Sequence, residues 1–240
     1  MGLWDIFKGK GPSSDAIAKQ VQRAKEHYAQ PDYRRMAMDQ LLKWDTDESL
    51  RGILERFCVV VQSPHWDEEE KKWLQEQIVA RGDKMKPILR KFIFEKNELN
   101  HALKAYRQIC QNDDEYTQIL VEALKLRPPS DHRSVQGKQE ILAALNELNN
   151  SSLDTLIAPY LDDHSDDVQF LSIDALAKSE DTQIIQELTA MLSSEHHSAR
   201  VARAAAQVIS ERKTPVDPTL VLSEAVSEDY KLENGLLVHR

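Results

Sequence analysis

Two stretches that lie 31 residues apart decide the fold of this chain: YLDDHSDDVQ at residues 160–169 and MLSSEHHSAR at residues 191–200. They align without a gap, and each runs from the apolar end of one predicted helix, through a polar turn, into the next helix. Recurrence at a fixed period indicates a repeat in which each helix pair buries its apolar side against the next pair. This part of the chain is therefore predicted to be a stack of helix pairs.

Apolar residues recur at helical spacing on both sides of this repeat, as Leu50, Ile53 and Leu54 do at the start of one stripe. Each stripe covers one side of a short helix, which needs neighbouring helices on that side to be stable. We predict an all-α fold, a right-handed superhelical solenoid of about six antiparallel helix pairs. The predicted helices lie near residues 14–28, 32–44, 47–61, 67–81, 84–96, 98–111, 114–126, 134–148, 152–161, 166–178, 181–193 and 197–211.

The residues around the repeat resemble the HEAT repeat family. In that family the first helix carries proline and leucine, an aspartate follows it, and the second helix carries valine-arginine and alanine-leucine. Gln169 stands where arginine is usual, and Arg200 matches that position in the following repeat. The other matching residues are Pro159, Leu161, Asp162, Val168, Ala175, Leu176 and Leu192.

The resemblance covers residues 15–211, closely from residue 114 onward and loosely before it. It implies a HEAT/armadillo-like solenoid over residues 14–211, with degenerate repeats at 14–111 and clearer repeats at 114–211. Repeat arrays have atypical terminal units, which would explain the poorer match near the start. An ordinary helical bundle with accidental similarity is the alternative.

The two ends of the chain depart from the repeat. Residues 1–13 form an amphipathic segment that would cap the first helix pair, stay disordered, or contact a membrane or partner. Its docking residues would be Leu3, Trp4, Ile6 and Phe7. Residues 212–240 form a tail in which Asn234-Gly235, between two apolar runs, predicts a small hairpin.

Composition narrows the function classes. Only three glycines, Gly52, Gly82 and Gly137, lie between Pro12 and Asn234, so phosphate-cradling loops are nearly excluded there. Residues 151–240 carry 16 acidic and 7 basic side chains, whereas residues 1–150 carry 24 of each. An acidic surface repels phosphate backbones, which disfavours nucleic acid as a partner of the second half. No span is apolar enough for a membrane helix, so a cytoplasmic location is expected.

Cysteine and histidine do not indicate a disulfide or metal site. Cys58 and Cys110 lie within apolar helical patterns, which predicts small buried thiols in a reducing compartment. His164, His196 and His197 share the turns of consecutive repeats, but no zinc or calcium motif accompanies them. We interpret these turns as solvated and expect no metal and no cofactor.

Basic residues cluster once, at Lys84, Lys86, Arg90 and Lys91. Such a patch meets phosphate or an acidic protein, but a solvated helix face paired with the acidic stretch at residues 67–70 is the simpler interpretation. HEAT-like enzymes include alkylpurine DNA glycosylases and bilin lyases. No motif of either enzyme family matches residues of this sequence, although Trp44-Asp45 and Trp66-Asp67 with Trp73 lie in the first third of the chain.

The sequence therefore predicts a non-enzymatic protein-interaction or scaffolding module without a small-molecule substrate. Polar positions of the second helices would shape its surface: Arg34, Gln136, Gln169, Asp174, Arg200 and Arg203. Asp162 would bond to Arg200 of the next repeat in a ladder that ties units together. The alternatives are a HEAT-like enzyme or nucleic-acid-binding protein, and a membrane-peripheral scaffold held by residues 2–10.

Overall fold

The computed structural model describes residues 11–148, 150–194 and 196–240. The fold is all-helical apart from one small antiparallel hairpin, which confirms the predicted fold class at that level. The chain divides into two compact units, unit 1 up to Tyr116 and unit 2 from Thr117 to Arg240. Among the described helices, none combines the length and the hydropathy that crossing a membrane requires.

Unit 1 contains six helices and the start of a seventh. They are α1 (Ser14–Ala24), α2 (Pro31–Trp44), α3 (Asp47–Leu54), α4 (Pro64–Val79), α5 (Lys86–Glu95), α6 (Asn100–Ile109) and α7 (Asp113–Lys125), within which the division falls. The odd-numbered helices α1, α3 and α5 pack in succession, and α4 packs against α6. Their apolar stripes meet in a core that includes Met38, Leu41, Leu50, Ile53, Leu74, Ile78 and Leu89.

Helix starts in unit 1 follow from local sequence. The Ser13 hydroxyl accepts a hydrogen bond from the Ala16 amide at 3.2 Å, and Thr46 and Ser49 form a reciprocal capping box at α3. Proline opens α2 and α4, where its missing N–H would have had no helical partner. Helix α4 begins at Pro64, three residues before the predicted start.

Unit 2 is built around three longer helices, of which α10 packs against both α8 and α12. Its elements are α8 (Val135–Leu148), α9 (Asp154–Ile157), α10 (Asp166–Leu176), α11 (Thr182–Ala190), α12 (Ala199–Glu211) and α13 (Glu224–Ser227). Buried Lys138 on α8 forms an ion pair with buried Asp163. The Tyr160 hydroxyl donates to the carbonyl oxygen of Leu124 or Arg127, at 2.9 and 3.0 Å. These polar contacts hold the segment around Tyr160 and Asp163 against the residues that precede α8 and against α8 itself.

The predicted hairpin is present and packs on unit 2. Strand β1 (Tyr230–Glu233) pairs with β2 (Leu236–His239), which leaves Asn234 and Gly235 as a two-residue turn. Both turn residues have positive φ, 52° and 76°, as a type I′ turn requires. The side chain of Leu237 is buried, and the Val216 amide donates to the Gly235 carbonyl oxygen at 2.8 Å.

All predicted helices are found, but some are shorter or broken. The predicted helix at 152–161 is a four-residue α-helix between two 3-10 segments, because Pro159 has no N–H to donate within a continuous helix. The Asn112 side chain accepts a hydrogen bond from the Glu115 amide at 2.9 Å at the start of α7. Ser165 does not cap α10 through its side chain; its amide instead donates to Asp163 Oδ1 at 2.9 Å.

Candidate functional site

The first two turns of helix α4 bury charged side chains, whereas its later turns bury Leu74 and Ile78. The positions that its first two turns bury are charged: Asp67, Glu70 and Lys71. Trp66, by contrast, is 48% exposed. Buried charge and exposed tryptophan both oppose folding stability, so a helix that carries both is a candidate for function.

The buried charges of α4 are held in one ion cluster, formed by Arg34, Arg56, Asp67, Glu70 and Lys71. Arg34 donates to both carboxylate oxygens of Glu70, with its Nη2 at 2.7 Å from Oε1. Arg56 bridges the two acids, 2.8 Å from Asp67 Oδ1 and 2.9 Å from Glu70 Oε2. Lys71 pairs with the other oxygen of Asp67 at 2.8 Å. Every carboxylate oxygen of the cluster therefore has a cationic partner.

The ion cluster also ties two loops to α4. Arg34 Nη1 donates to the carbonyl oxygens of Glu26 and Ala29, and Arg56 Nη1 donates to that of Val59. The Val61 amide donates to Asp67 Oδ1 at 3.1 Å. Because guanidinium groups satisfy several acceptors at once, two arginines fix both loops against one end of α4.

The cluster keeps the Asp67 carboxyl ionised. Burial alone would raise the pKa of Asp67, but hydrogen bonds from Lys71 and Arg56 and from the Val61 amide outweigh it and lower the pKa below 3.8. Both oxygens of the Asp67 carboxylate are therefore engaged within the cluster. The cluster thus serves to position the outer face of α4.

That outer face borders a cleft of about 390 Å³, which we call the α2–α4 cleft. Helix α2 supplies one wall with Pro31, Asp32 and Arg35, and α4 supplies the rest with Trp66, Glu69, Glu70, Lys72, Trp73 and Glu76. The two helices run in the same direction, because α2 contacts α4 at Arg34 near both starts while Asp45 pairs with Arg81 just beyond both ends. Their backbones approach less closely than those of α4 and α6, and the gap forms the cleft.

Trp66, Glu69, Trp73 and Glu76 form a single stripe on the cleft side of α4. At 3.6 residues per turn these positions fall within one arc of about 80°, so aromatic and acidic side chains alternate along the helix. The guanidinium carbon of Arg35 lies 3.2 Å from the centre of the Trp73 ring. One indole of the cleft already stacks on a cation.

Several charges in the cleft have no partner within the described residues. Glu70 belongs to the ion cluster, and Arg35 pairs with Asp39 at 3.5 Å. The carboxylates of Asp32, Glu69 and Glu76 and the ammonium group of Lys72 form no ion pair or hydrogen bond among the residues placed by the structure. Counting partners only among the described residues, the cleft therefore presents three unpaired carboxylates, the Lys72 ammonium group and the Arg35 guanidinium.

Exposed apolar side chains concentrate in the same part of unit 1. Tyr28 is 76% exposed, Met36 72% and Val60 67%, and Tyr33 is also exposed. The loops that carry Tyr28 and Val60 meet through neighbouring His27, whose Nδ1 lies 2.6 Å from the Val60 carbonyl oxygen. Within the described residues, five of the eight exposed large apolar side chains lie between Tyr28 and Trp66 in the sequence, so exposed apolar residues are enriched in this stretch.

Two of the residues predicted to shape an interaction surface are buried instead. Arg34 is 2% exposed, because its guanidinium is hydrogen-bonded to Glu70 within the ion cluster, so it is not a surface residue. Gln169 is 8% exposed, with its amide nitrogen on the Asp163 carbonyl oxygen and its amide oxygen 3.2 Å from His197 Nδ1. Arg34 lies where α2 contacts α4, and Gln169 lies where α10 contacts the residues just before α12.

The other four predicted surface residues lie on unit 2, where most brace adjacent helices. Arg200 pairs with Asp167 of α10 and stacks on Phe170, so the predicted bond to Asp162, which ends the preceding 3-10 segment, is wrong. The other three are each in contact: Gln136 donates to Glu140, Asp174 accepts from Asn146, and Arg203 pairs with Glu228 and Asp229.

Lys84 and Lys86 of the predicted basic patch pair with acids other than residues 67–70, of which Asp67 and Glu70 belong to the ion cluster. Lys84 instead lies 2.6 Å from Asp45 Oδ2, and Lys86 bridges Asp83 and Glu115 at 3.0 and 2.8 Å. The Arg90 guanidinium carbon lies 4.8 Å from the Phe94 ring centre, and Lys91 is exposed. The patch is thus largely neutralised by other acids of unit 1.

Other predicted sites have mixed outcomes. The docking residues Leu3, Trp4, Ile6 and Phe7 lie outside the described residues. Cys58 and Cys110 are partly rather than fully buried, and burial raises the pKa of the Cys58 thiol to about 12. In the described ranges, no three His, Cys, Asp or Glu side chains are placed to hold a metal ion.

Sequence reasoning missed the α2–α4 cleft, although a signal was present. Starting the helix at residue 67 left Trp66 outside it, whereas Ser63-Pro64 marks a start that brings Trp66 and Trp73 two turns apart on one face. The burial of Asp67 and Glu70 required Arg34 and Arg56, which come from other helices. Comparisons of the chain with protein-family models, with curated proteins and with solved structures find no match.

Proposed function

We propose that this chain is a non-enzymatic protein-interaction module and that its partner binds in the α2–α4 cleft. The observation that carries the proposal is the first two turns of α4, which bury Asp67, Glu70 and Lys71 while they expose Trp66. Exposed tryptophan on a rigid helix supplies contact area at little entropic cost, and tryptophan is enriched at binding hot spots.

The helix packing supports a helical-repeat architecture within each unit. In unit 1 the odd-numbered helices pack in succession, and in unit 2 α10 packs on both α8 and α12. Such an order is typical of solenoids, whose successive second helices form a continuous surface for partners. We propose that each unit is a short stack of this kind, with the cleft on the second-helix side of unit 1.

The same features disfavour a DNA-binding or glycosylase-like function. The Asp67 carboxylate beside Trp66 is ion-paired with Arg56 and Lys71, so it is not free to hold a damaged base. The unpaired charge of the cleft is mainly acidic, which repels a phosphate backbone. A protein surface accommodates both the indoles and the carboxylates.

Affinity capture from the source lysate tests the proposal through a difference between variants. We expect a partner that wild type captures to be lost from Trp66→Ala, because truncation of a hot-spot tryptophan costs binding about 2 kcal/mol or more. Val221→Ala is the matched control, since Val221 is an 80% exposed apolar residue of unit 2. Unfolding curves of all three proteins check that each is folded.

Retention of every captured protein by Trp66→Ala, at wild-type level, would exclude the cleft as the binding site. Loss of the same proteins from Val221→Ala would show that capture depends on general surface hydrophobicity. The proposal stands only if the loss is confined to the cleft variant.

A further inference from the structure

The charge and spacing of the α4 stripe indicate what kind of segment fits the cleft. We propose that the α2–α4 cleft binds an amphipathic helix whose contact face alternates large apolar side chains with lysine or arginine. This inference rests on the proposed function and adds the chemistry and the conformation of the partner.

The spacing of the stripe favours a helix over an extended chain. Trp66, Glu69, Trp73 and Glu76 are separated by steps of three, four and three residues, which span about 15 Å at 1.5 Å per residue. A second helix presents side chains at the same i, i+3, i+7, i+10 steps. An extended strand places same-face side chains about 6.6 Å apart and covers about 20 Å over three steps, so it loses register.

The charge of the cleft favours cationic side chains on that helix. Glu69 and Glu76 are the acidic members of the stripe, and Asp32 faces them from the α2 wall; all three lack a partner within the part of the chain that the structure describes. Lys72 is the opposing ammonium group at the same cleft. A lysine or arginine of the partner would bring the missing counter-charge to each glutamate.

The indoles of Trp66 and Trp73 favour large apolar side chains on the partner helix, next to its lysine or arginine residues. Arg35 stacks on Trp73, which demonstrates that this wall tolerates a cation on an aromatic face. Over the Trp66 ring, no cation lies within the described residues, and its 48% exposure leaves the ring accessible. An apolar side chain buried there removes indole surface from water, while its lysine neighbour reaches Glu69.

The size of the cleft fits side chains rather than a whole domain. Its volume of about 390 Å³ lies at the low end of the roughly 300–1,000 Å³ range of ligand pockets. The partner helix would therefore insert one face and leave its other side to solvent.

Binding of synthetic peptides to the full chain, followed by fluorescence anisotropy, tests the inference. The probe is a labelled helical peptide on an alanine and glutamine background, with leucine at i and i+7 and lysine at i+3 and i+10. The comparison peptides are a scrambled version of the same composition and a version with glutamate in place of each lysine. We expect only the first peptide to bind, with an affinity that falls as salt is raised.

Charge variants of the cleft should change that affinity in opposite directions. We expect Glu69→Gln and Glu76→Gln each to weaken binding about 2- to 5-fold, as loss of one exposed ion pair does. Lys72→Gln should strengthen it by a similar factor, because it removes the repelling charge. Glu26→Gln and Glu180→Gln are the controls, since both carboxylates are exposed and lie outside the cleft; they should leave the affinity unchanged.

The inference would be overturned by equal binding of the scrambled or glutamate peptide, by equal affinities for the cleft and control variants, or by preferential binding of duplex DNA to the cleft. Self-association of the wild type that Glu69→Gln and Glu76→Gln reduce would assign the cleft to a second copy instead. If Trp66→Ala loses its cellular partner while these charge variants keep it, the inference fails and the proposed function stands.

Discussion

At the scale of single residues, Glu70 is the side chain on which the buried start of α4 depends. It accepts hydrogen bonds from Arg34 and Arg56, both almost completely buried, and so offsets two charges that water cannot reach. Glu69 is its immediate neighbour on the outer face and has no partner in the described ranges. The two glutamates therefore have opposite roles within one helical turn.

Replacement of these two glutamates should separate stability from binding. Glu70→Gln leaves the buried Arg34 guanidinium without a counter-charge and Arg56 with Asp67 alone, so we expect the free energy of unfolding of unit 1 to fall by about 3–5 kcal/mol. Glu69→Gln should change it by less than about 0.5 kcal/mol, as surface substitutions do. Denaturant titration followed by circular dichroism measures both, and equal effects of the two variants would contradict the account of the ion cluster.

At the scale of elements, the patterns that depend on neighbours in sequence were predicted and those that depend on distant residues were not. Helical periodicity located every long helix, and Asn234-Gly235 located the hairpin. The fate of Arg34 depends on Glu70, which lies 36 residues away on another helix, and sequence spacing carries no signal for that pair. Pairs of this kind decide which polar residues are buried, which is why the predicted surface residues Arg34 and Gln169 were wrong.

A substitution in the hairpin turn tests whether that turn holds the segment around Val216 in place. Gly235 has φ of 76°, and a Cβ there would lie 3.3 Å from the Val216 carbonyl oxygen. We expect Gly235→Ala to cost about 1–2 kcal/mol locally, because L residues are strained in the left-handed region. Hydrogen exchange of the Val216 amide, which bonds to the Gly235 carbonyl oxygen, should accelerate about tenfold.

Gly11→Ala is the control for this substitution, because its Cβ would meet nothing within 4 Å. It should leave the exchange rate of the Val216 amide unchanged. An unchanged rate in Gly235→Ala as well would show that the turn does not hold the tail.

At the scale of the whole molecule, charge and aromatic surface are distributed unevenly along the sequence. The net charge of −9 belongs to residues 151–240, whereas the exposed aromatic surface around the cleft belongs to unit 1. In unit 2 polar side chains of α8, α10 and α12 form ion pairs and hydrogen bonds between these helices, as Arg200 does with Asp167. We therefore propose that a partner binds unit 1, in the α2–α4 cleft, rather than unit 2.

Site-specific photo-cross-linking tests that claim most directly. A photoreactive phenylalanine analogue replaces Lys72 at the cleft or, as the control, Val221 on unit 2, and the full chain is irradiated with the partner that wild type captures. The account predicts a cross-linked product from position 72 and none from position 221. A product from position 221 alone, or equal products from both positions, would contradict binding in the cleft.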